Sequence, residues 1–575
     1  MTLNRSAVLG VALAAVLAPD FATLRAQDGA TAAPAQDPHP AVTHKELGRM
    51  WPFEHAPVEF FQQAYGFTPT PEWLEAARLA SLRYGEWCSA SFVSPRGLIM
   101  TNHHCARDNV AAVSPEGKDW LTTGFFAKSL EEEVRIPDLT VQQLVAMKDV
   151  TAAMNAGLVK DMSEADLART LEANEKKILE EAAAAEKDLM HQVVSLYQGG
   201  SYQLYSYKVY RDIRMVGAPD LKIATFGGDP DNFTYPRFSL DFSFVRAWED
   251  GKPADTSMHY FKVKTRGAKE GETVFVTGNP GSTGRLDTVA QMEFLRDIQY
   301  PRTIANIDRQ LKALRARQEK GEDVRGEILD LENAFKAYTG YLAGLRDVSV
   351  MDIKRKAEQE LRDKVAAKPE LGEKIGDPWK RIEEIAAEKR EIVETRRGMN
   401  KLQGLAQEEE LLKKRVGEAF FAVYGTHLPP DATFTLRLSD GVMKGYAMNG
   451  TVAPYFTSLY GLYARNTEFG GQDPFALEPA WLEKLKEMDL STPYCVVSTC
   501  DIIGGNSGSP MINQALEVVG LVFDGNIESL GNRFVYTDTV ARTVSVHPAI
   551  IVEALRKIYG AGKLADEFEG KGKGY

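Results

Sequence analysis

The chain has 575 residues, too many for a single hydrophobic core, so two or more structural units are expected. Its composition, 44% hydrophobic and 26% charged, is ordinary for a water-soluble protein. The formal net charge of -12 argues against nucleic acid as a partner, because phosphate binding requires a basic surface.

The N-terminus is typical of an exported protein. An apolar run over 6–18 follows Arg5, and small residues follow it, which predicts a secretory signal peptide over 1–26. A membrane anchor is the alternative, but the run is shorter than the roughly 20 residues that span a bilayer. No later segment is long and apolar enough, so we expect a periplasmic or secreted protein without stable membrane insertion. Residues 27–44, rich in Ala, Pro and Asp, are predicted to be a linker.

Strand-like and helical patterns divide the rest of the chain into three parts. Residues 45–285 contain short apolar runs of β type, with one helical stretch over 163–196. Residues 286–425 are dense in Lys, Arg, Glu and Ala and predict a solvated helical bundle. The β patterning resumes over 426–575. We therefore expect a mainly β protein, with one β domain built from both ends of the chain and a helical domain inserted between them.

The segment 504–510, GGNSGSP, predicts a nucleophilic serine. A serine hydroxyl reacts when a base removes its proton and donors receive the oxyanion. The glycines around Ser507 allow a tight turn, in which the backbone N–H groups of Gly505 and Ser507 converge on one point. The segment resembles the nucleophile loop of chymotrypsin-like enzymes, whose pattern is G-[DN]-S-G-[GS]-P. The alternative is an ordinary turn rich in Gly and Ser.

The segment 101–105, TNHHC, supplies the candidate base. In chymotrypsin-like enzymes the base histidine directly precedes a cysteine that is bridged to a neighbouring strand. His104 has this position before Cys105, so the resemblance favours His104 as the base. His103 is the competitor, and in extended chain it would point to the opposite face. The alternative for His103 is a packing or hydrogen-bonding role.

The four cysteines form two local pairs, and no CxxC motif indicates a metal site. Cys88 and Cys105 flank a predicted turn, and two strands of one hairpin would bring them together as a disulfide. For Cys495 and Cys500 a second disulfide and two free thiols are equally open.

A carboxylate must orient the histidine, and chymotrypsin-like enzymes carry it between the histidine and the serine in the chain. Residues 226–248 contain three candidates, Asp229, Asp231 and Asp241. Asp241 alternates with apolar neighbours, as a strand residue beside a core would. A buried carboxylate needs a partner, and an imidazole N–H is a good one. The residues alone do not choose among the acids of this part of the chain.

Six stretches together resemble the bacterial dipeptidyl-peptidase 7/11 family of serine exopeptidases. They are 88–105, 202–229, 231–242, 274–285, 441–445 and 501–526. The resemblance implies a chymotrypsin-like double β-barrel with an inserted helical domain, neither metal nor cofactor, and a triad of His104, Asp241 and Ser507. The helical block is much shorter than that of the resembled family, which predicts a more open cleft.

The resemblance also implies a clamp for the free amino terminus of a peptide. It places Asn232 and Phe233 in this clamp, because Asp231-Asn232-Phe233 matches the family's Asp-Asn-Trp element. It adds Asp524 as the family's acidic residue after the nucleophile and Asn333 as its asparagine of the helical region. Phe233 replaces the tryptophan, so any indole N–H bond is lost. An aspartate can pair with an ammonium group, and asparagines supply carbonyl acceptors. For Asp524 the alternative is a turn role in Asp-Gly-Asn.

Gly525 lies where the resembled family places the pocket for the second substrate side chain. Members that cleave after Asp or Glu carry arginine there, whereas Gly525 offers neither charge nor bulk. This favours an apolar or aromatic second residue, as in the dipeptidyl-peptidase 7 branch; the alternative is that Gly525 only serves a turn. We expect a serine dipeptidyl-peptidase that acts on oligopeptides. An endopeptidase on the same fold and a non-catalytic peptide-binding protein are the rival hypotheses, and a homodimer is left open.

Overall fold

The computed structural model describes residues 40–159, 162–572 and 574. The signal peptide expected over 1–26 lies outside the described residues, as does the expected linker up to residue 39. Within the described ranges, no helix is both long enough and apolar enough to cross a membrane.

The part of the chain before residue 286 is built mainly from strands. They are β1 (Met50–Pro52), β2 (Ser81–Tyr84), β3 (Cys88–Phe92), β4 (Leu98–Thr101), β5 (Phe125–Phe126), β6 (Val134–Arg135), β7 (Val141–Asp149), β8 (Leu189–Leu196), β9 (Ser201–Tyr210), β10 (Asp212–Ala218), β11 (Ser243–Glu249), β12 (Lys252–Pro253), β13 (Lys262–Val263) and β14 (Thr273–Gly278). The helices of this part are α1 (Pro40–Thr43), α2 (Val58–Tyr65), α3 (Pro71–Ala80), α4 (His103–Val113), α5 (Trp120–Thr123), α6 (Thr151–Met154), α7 (Glu164–Ala185), α8 (Leu221–Ala224) and α9 (Gly228–Asp231).

The middle part is helical, as its composition predicts. It contains α10 (Val289–Phe294), a π-helical turn (Leu295–Gln299), α11 (Tyr300–Gln318), α12 (Arg325–Arg346), α13 (Val348–Ala366), α14 (Pro369–Ile375), α15 (Pro378–Thr395) and α16 (Leu402–Tyr424). The block begins with a capping box, in which Thr288 accepts from the Gln291 backbone and the Gln291 side chain accepts from the Thr288 backbone N–H. Proline in the first turn of α14 and α15 suits positions whose N–H has no partner within the helix.

The last part returns to strands. They are β15 (Arg437–Val442), β16 (Tyr446–Met448), β17 (Thr451–Ala453), β18 (Phe456–Ser458), β19 (Pro493–Ser498), β20 (Pro510–Asn513), β21 (Glu517–Gly525) and β22 (Thr543–Val546). Four α-helices accompany them in the described residues, namely α17 (Leu459–Glu468), α18 (Pro479–Glu483), α19 (Pro548–Lys557) and α20 (Gly562–Phe568). Short 3-10 helices occur at Lys45–Leu47, Phe53–His55, Leu130–Glu132, Tyr197–Gly199, Met399–Lys401, Leu485–Glu487 and Ile527–Arg533.

Two large sheets carry the elements of the site. The first has the order β1-β15-β14-β20-β21-β22-β19-β18, with β13 on β21, so it combines strands from both ends of the chain. The second has the order β5-β10-β11-β4-β3-β2-β7-β9-β8, with β12 on β11 and β6 on β10. Neighbouring strands in both are antiparallel, apart from the β13–β21 pair.

The expected sheets and helices are confirmed, but the expected double barrel is not. Within the described ranges, β1 and β18 at the ends of the first sheet each pair on one side only, and so do β5 and β8 in the second. A closed barrel requires the end strands to pair along their length. Strands β1 and β18 have three residues each and β5 has two, so they offer too short a ladder for closure.

One continuous hydrophobic cluster joins the two sheets and the helical part. It includes Leu98 of β4, Phe244 of β11, Leu521 of β21 and Phe420 of α16, all of them buried. Burying a side chain of this kind contributes roughly 1.5–3 kcal/mol to folding. Strands β4, β11 and β21, which lie beside the site residues, are therefore held by a shared core.

Candidate active site

His104 and Asp241 meet at the ends of two paired strands. Strand β4 ends at Thr101, which is paired with Ser243 at the start of β11. His104 follows β4 in the first turn of α4, and Asp241 lies two residues before the start of β11. The backbone N–H of His104 donates to Asp241 Oδ1 at 3.0 Å, and His104 Nδ1 lies 2.5 Å from Asp241 Oδ2. Asn102 adds a bond from Nδ2 to the Asp241 carbonyl oxygen at 2.8 Å.

The pair is electrostatically coupled. Burial alone would lower the pKa of His104, but the charge of Asp241 and its hydrogen bond outweigh burial and raise this pKa above the ordinary value. Burial alone would raise the pKa of Asp241, but His104 and the hydrogen bonds hold it below the ordinary value. The Asp241 carboxylate is therefore ionised at neutral pH and fixes the His104 ring through Nδ1.

His103 has a different environment from His104. Both residues lie in the first turn of α4 and not in extended chain, because the helix starts directly after Asn102. His103 is fully buried, and burial lowers the pKa of its ring to about 4. The side chain of His104 is 35% exposed and lines a cleft. A neutral ring packed inside the protein agrees with the alternative considered for His103.

Ser507 lies in a glycine-rich loop between β19 and β20. A Cβ atom on Gly505, whose φ is +100°, would lie 2.5 Å from the Asn279 carbonyl oxygen, so only glycine fits there. Ser89 of β3 fixes the loop, because its backbone N–H donates to Ser507 O and its hydroxyl to Gly505 O, each at 2.8 Å. Within the described ranges, the backbone N–H groups of Gly505 and Ser507 donate to no protein acceptor, so they are available to an oxyanion.

His104, Asp241 and Ser507 line one cleft of about 250 Å³. The predicted clamp residues Asn232, Phe233, Asn333 and Asp524 line it as well, and so does Gly525 of the predicted specificity pocket. Further lining residues include Arg107, Arg237, Tyr341, Ile502, Ile503, Val522, Phe523, Ser529 and Leu530. The tertiary structure therefore brings the predicted catalytic and substrate-binding residues to one cleft. Gly505 is the exception among them: it does not line the cleft but lies in the same loop as Ser507.

The amine-clamp residues come from three elements. Asn232 follows α9 and donates from Nδ2 to Asn333 Oδ1 of α12 at 3.1 Å. Phe233 has a φ of +53°, and its backbone N–H donates to Asp524 Oδ2 at 3.1 Å. The register of β21 shifts against β22 between Val522 and Asp524, and such a bulge re-aims the side chain that follows it. These contacts hold two amide groups and one carboxylate at one end of the cleft.

Sequence reasoning missed Arg237, which lies against Asp524. Its Nη1 is 3.3 Å from Asp524 Oδ2, and the same atom donates to the Asp231 carbonyl oxygen. Burial raises the pKa of the Asp524 carboxyl, and the Arg237 guanidinium opposes this rise. The only sequence signal is an arginine within the segment, rich in aromatic residues, that precedes Asp241. The other two candidate acids of residues 226–248 have different surroundings. Asp231 is buried and its Oδ1 accepts from Arg465 Nη2 at 2.8 Å, whereas Asp229 lies partly exposed at the rim of the cleft.

Helix α12 lies over the cleft and contacts the β part with successive turns of one face. Asp330 accepts from Arg107 Nη2 at 2.8 Å, Asn333 contacts Asn232, and Lys336 Nζ lies 3.6 Å from Asp229 Oδ1. Arg107 stands one helical turn beyond His104 on α4 and was also missed by sequence reasoning. Helix α12 therefore covers part of the cleft, and the expectation that the cleft is more open than in the resembled family stays a prediction.

A disulfide joins Cys88 of β3 to Cys105 of α4, as expected, with the two Cα atoms 6.1 Å apart. Cys495 and Cys500 are buried free thiols, and burial raises the pKa of each to about 12. In the described residues one group of three possible metal ligands lies close together, Cys88, Cys105 and His104. The two sulfur atoms are bonded to each other, so this group offers no thiolate ligand.

A serine and a histidine held by a buried aspartate line one cleft, and two backbone N–H groups lie in the loop of the serine. These are the kinds of groups that serine peptidases use. The chain matches the Peptidase S46 family over residues 46–407 and 394–570 and belongs to that family. This confirms the family and the class of enzyme, a serine-type peptidase, expected from the sequence.

Curated relatives carry two names. An Asp/Glu-specific dipeptidyl-peptidase of Shewanella putrefaciens is 23% identical, over 84% of this chain and 91% of the relative. A dipeptidyl-peptidase 7 of Capnocytophaga gingivalis is also 23% identical, over 85% of this chain and 91% of the relative. The crystal structure of Porphyromonas endodontalis DPP11 in complex with the dipeptide Arg-Glu superposes with a TM-score of 0.77 at 20% identity, over 91% of this chain and 99% of that chain. The fold is therefore shared with that structure. Relatives of both names are equally identical to this chain, so identity does not favour one name over the other.

Proposed function

We propose that this peptidase removes dipeptides from the free amino termini of oligopeptides. The observation that carries the proposal is the position of Asn232, Asn333 and Asp524 in the same cleft as Ser507 and His104. Carbonyl oxygens and a carboxylate are the acceptors that an ammonium group requires. An amine held at this end of the cleft limits how much peptide fits before the serine. The dipeptidyl-peptidase names of the relatives support the same activity.

The proposed reaction is a covalent acyl transfer. Ser507 Oγ attacks the carbonyl carbon of the second residue while His104, through the ring nitrogen not engaged with Asp241, takes the hydroxyl proton. The backbone N–H groups of Gly505 and Ser507 stabilise the oxyanion. His104 then gives the proton to the leaving amine, and the dipeptide remains esterified to Ser507. A water molecule, deprotonated by His104, releases the dipeptide and regenerates the hydroxyl.

We propose an apolar or aromatic second residue for the substrate. Gly525 brings no cation to the cleft, and Val522, Phe523 and Leu530 add apolar surface beside it. Arg237 also lines the cleft, but its guanidinium is engaged with Asp524. A substrate carboxylate without a partner would lose its hydration at a cost of several kcal/mol. The Asp/Glu-specific relatives make acidic substrates the contrasting outcome.

One peptide series tests both proposals. Peptides of identical sequence, with a free or an acetylated amino terminus, would be incubated with the enzyme and the products identified by mass. Release of a dipeptide from the free peptide alone is expected. Cleavage of the acetylated peptide at comparable rates would instead indicate an endopeptidase, and no cleavage of either would indicate a binding protein. Faster release after Asp or Glu than after Leu or Phe at the second position would contradict the proposed specificity.

We further propose that the enzyme acts in the periplasm or after secretion. The apolar N-terminal run and the Cys88–Cys105 disulfide support an oxidising compartment. The homodimer stays a prediction.

A further inference from the structure

Gly525 ends strand β21, and its missing side chain would point toward Ser529. A Cβ atom built on Gly525 would overlap the Ser529 hydroxyl oxygen and lie 3.4 Å from Ser529 Cβ. The backbone of Gly525 is not left-handed, so its conformation does not require glycine. Both residues line the cleft that contains Ser507. Ser529 therefore occupies the space that a side chain at position 525 would fill.

Hydrogen bonds hold Ser529 in this position. Its hydroxyl donates to the Asn526 carbonyl oxygen at 2.7 Å, and its backbone N–H donates to the same oxygen at 3.0 Å. Asn526 is buried, and its side chain donates to Val540 O and accepts from Arg542 N, each at 2.7 Å. Because the hydroxyl proton is committed to Asn526, the Ser529 oxygen presents lone pairs to its other neighbours.

Helix α12 supports the same wall from behind. A Cβ atom on Gly340 of α12 would lie 2.8 Å from Leu530 Cβ, and one on Gly344 would lie 2.9 Å from Gly531 Cα. The 3-10 helix that carries Ser529 therefore packs directly against α12, with no room for a methyl group between them. A larger side chain at position 525 or 529 would overlap its neighbours, and the 3-10 helix cannot move outward to relieve this overlap unless α12 moves as well.

We propose that Ser529 is a second specificity-determining residue, which with Gly525 forms the wall facing the second side chain of the substrate. This inference rests on the proposed function. The Ser529 side chain limits the size of the pocket, and its lone pairs repel a carboxylate. The discrimination against Asp and Glu then comes from an oxygen acceptor in the pocket as well as from the absence of arginine at position 525.

The test compares kcat/KM for dipeptidyl substrates that end in Leu, Phe and Asp. Ser529→Gly should raise kcat/KM for the Phe substrate about tenfold relative to that for the Leu substrate. This is the effect typical of enlarging a pocket by about one methylene group. Ser529→Ala should raise the ratio of Asp to Leu, because the acceptor oxygen is removed. Glu528→Ala is the matched control, since Glu528 is an exposed neighbour on the same 3-10 helix. Ratios in both Ser529 variants equal to those of the control would overturn the proposal.

A double-variant comparison provides a second readout. Gly525→Ala should lower kcat/KM for the Leu substrate about tenfold, because its methyl group displaces the Ser529 hydroxyl. The double variant Gly525→Ala/Ser529→Gly should recover most of this loss, because the effects of substitutions at two residues in contact do not add. Equal losses in the single and double variants would contradict the shared wall. A wild-type enzyme that releases no dipeptide from any substrate refutes the proposed function and this inference together, whereas dipeptide release with unchanged ratios refutes only the role of Ser529.

Discussion

Asp241 holds His104 by two hydrogen bonds, one to the backbone N–H at 3.0 Å and one to ring Nδ1 at 2.5 Å. The first fixes the start of helix α4 and the second fixes the ring. Together they leave one rotational state of the imidazole, in which the other ring nitrogen is available for proton transfer. Because one carboxylate makes both bonds, removing it disturbs the orientation and the charge of His104 at once.

The triad should act as a unit. We expect Ser507→Ala and His104→Ala each to lower kcat about 10⁶-fold and Asp241→Asn about 10⁴-fold, as in other serine peptidases. The double variant Ser507→Ala/His104→Ala should be no worse than either single variant, because each step requires both groups. Steady-state kinetics with unfolding curves for each variant provide the measurement. His103→Gln is the control and should keep its activity; if it is inactive while His104→Ala is active, the assignment of the base is wrong.

Activity should fall on the acid side of neutrality. The general base must be uncharged, and Asp241 raises the pKa of His104 above its ordinary value. The acidic limb of kcat/KM should therefore have a midpoint above the ordinary histidine pKa of about 6.5. Asp241→Asn removes the negative charge, so the same limb should move to lower pH. A limb that stays in place in this variant would show that another group controls it.

The amine clamp should matter only for substrates with a free amino group. Asn333→Ala removes one acceptor, and hydrogen bonds to charged groups contribute about 1.5–3 kcal/mol, which corresponds to roughly a 10–150-fold loss in kcat/KM. Asp524→Asn should produce a larger loss, because it removes the charge that pairs with the ammonium. Thr339→Ala, an exposed position on the same helix, is the control. Equal effects on free and acetylated peptides would argue against the clamp.

Arg237 should keep Asp524 ionised. The groups that face Asp524 are Arg237 and the backbone N–H donors of Phe233 and Gly525, with His104 adding positive charge when protonated. Burial raises the pKa of Asp524 and Arg237 opposes it, so Arg237→Gln should raise this pKa further. A neutral Asp524 cannot pair with an ammonium group. As the pH falls, KM should therefore begin to rise at a higher pH in Arg237→Gln than in the wild type.

The Arg237→Lys variant separates charge from position. It retains a cation near Asp524, so its KM profile should resemble that of the wild type more closely than that of Arg237→Gln. KM would be measured across the acid range with a free-amine substrate. Identical profiles in all three proteins would mean that Arg237 does not influence the charge of Asp524.

The disulfide should stabilise the segment that carries the base. For a loop of this length a bridge contributes about 3 kcal/mol. The double variant Cys88→Ser/Cys105→Ser should therefore lower the free energy of unfolding by about this amount, as measured in denaturant. Cys495→Ser replaces a buried free thiol and serves as a comparison that leaves the disulfide intact. An unchanged unfolding free energy in the double variant would contradict a stabilising role.

Local patterns were enough to predict part of this protein. The Gly- and Ser-rich loop at Ser507 and the His-Cys pair at His104 each depend on a few adjacent residues whose backbone demands are visible in the sequence. The β-helix-β composition likewise follows from patterning over short windows. Barrel closure could not be predicted in this way, since it depends on how far the end strands extend and which strands they meet.

The sequence by itself was enough to predict a nucleophile loop, a base and a division of the chain, because each prediction depends on neighbouring residues. Only the tertiary structure decided which of three nearby acids reaches His104, since strand pairing between β4 and β11 selects Asp241. It also revealed Arg237 beside Asp524 and Ser529 beside Gly525. The contact between Arg237 and Asp524 joins residues far apart in the chain, and that between Ser529 and Gly525 depends on how a short helix turns back over a strand. Such proximity is set by packing and leaves no local pattern in the sequence.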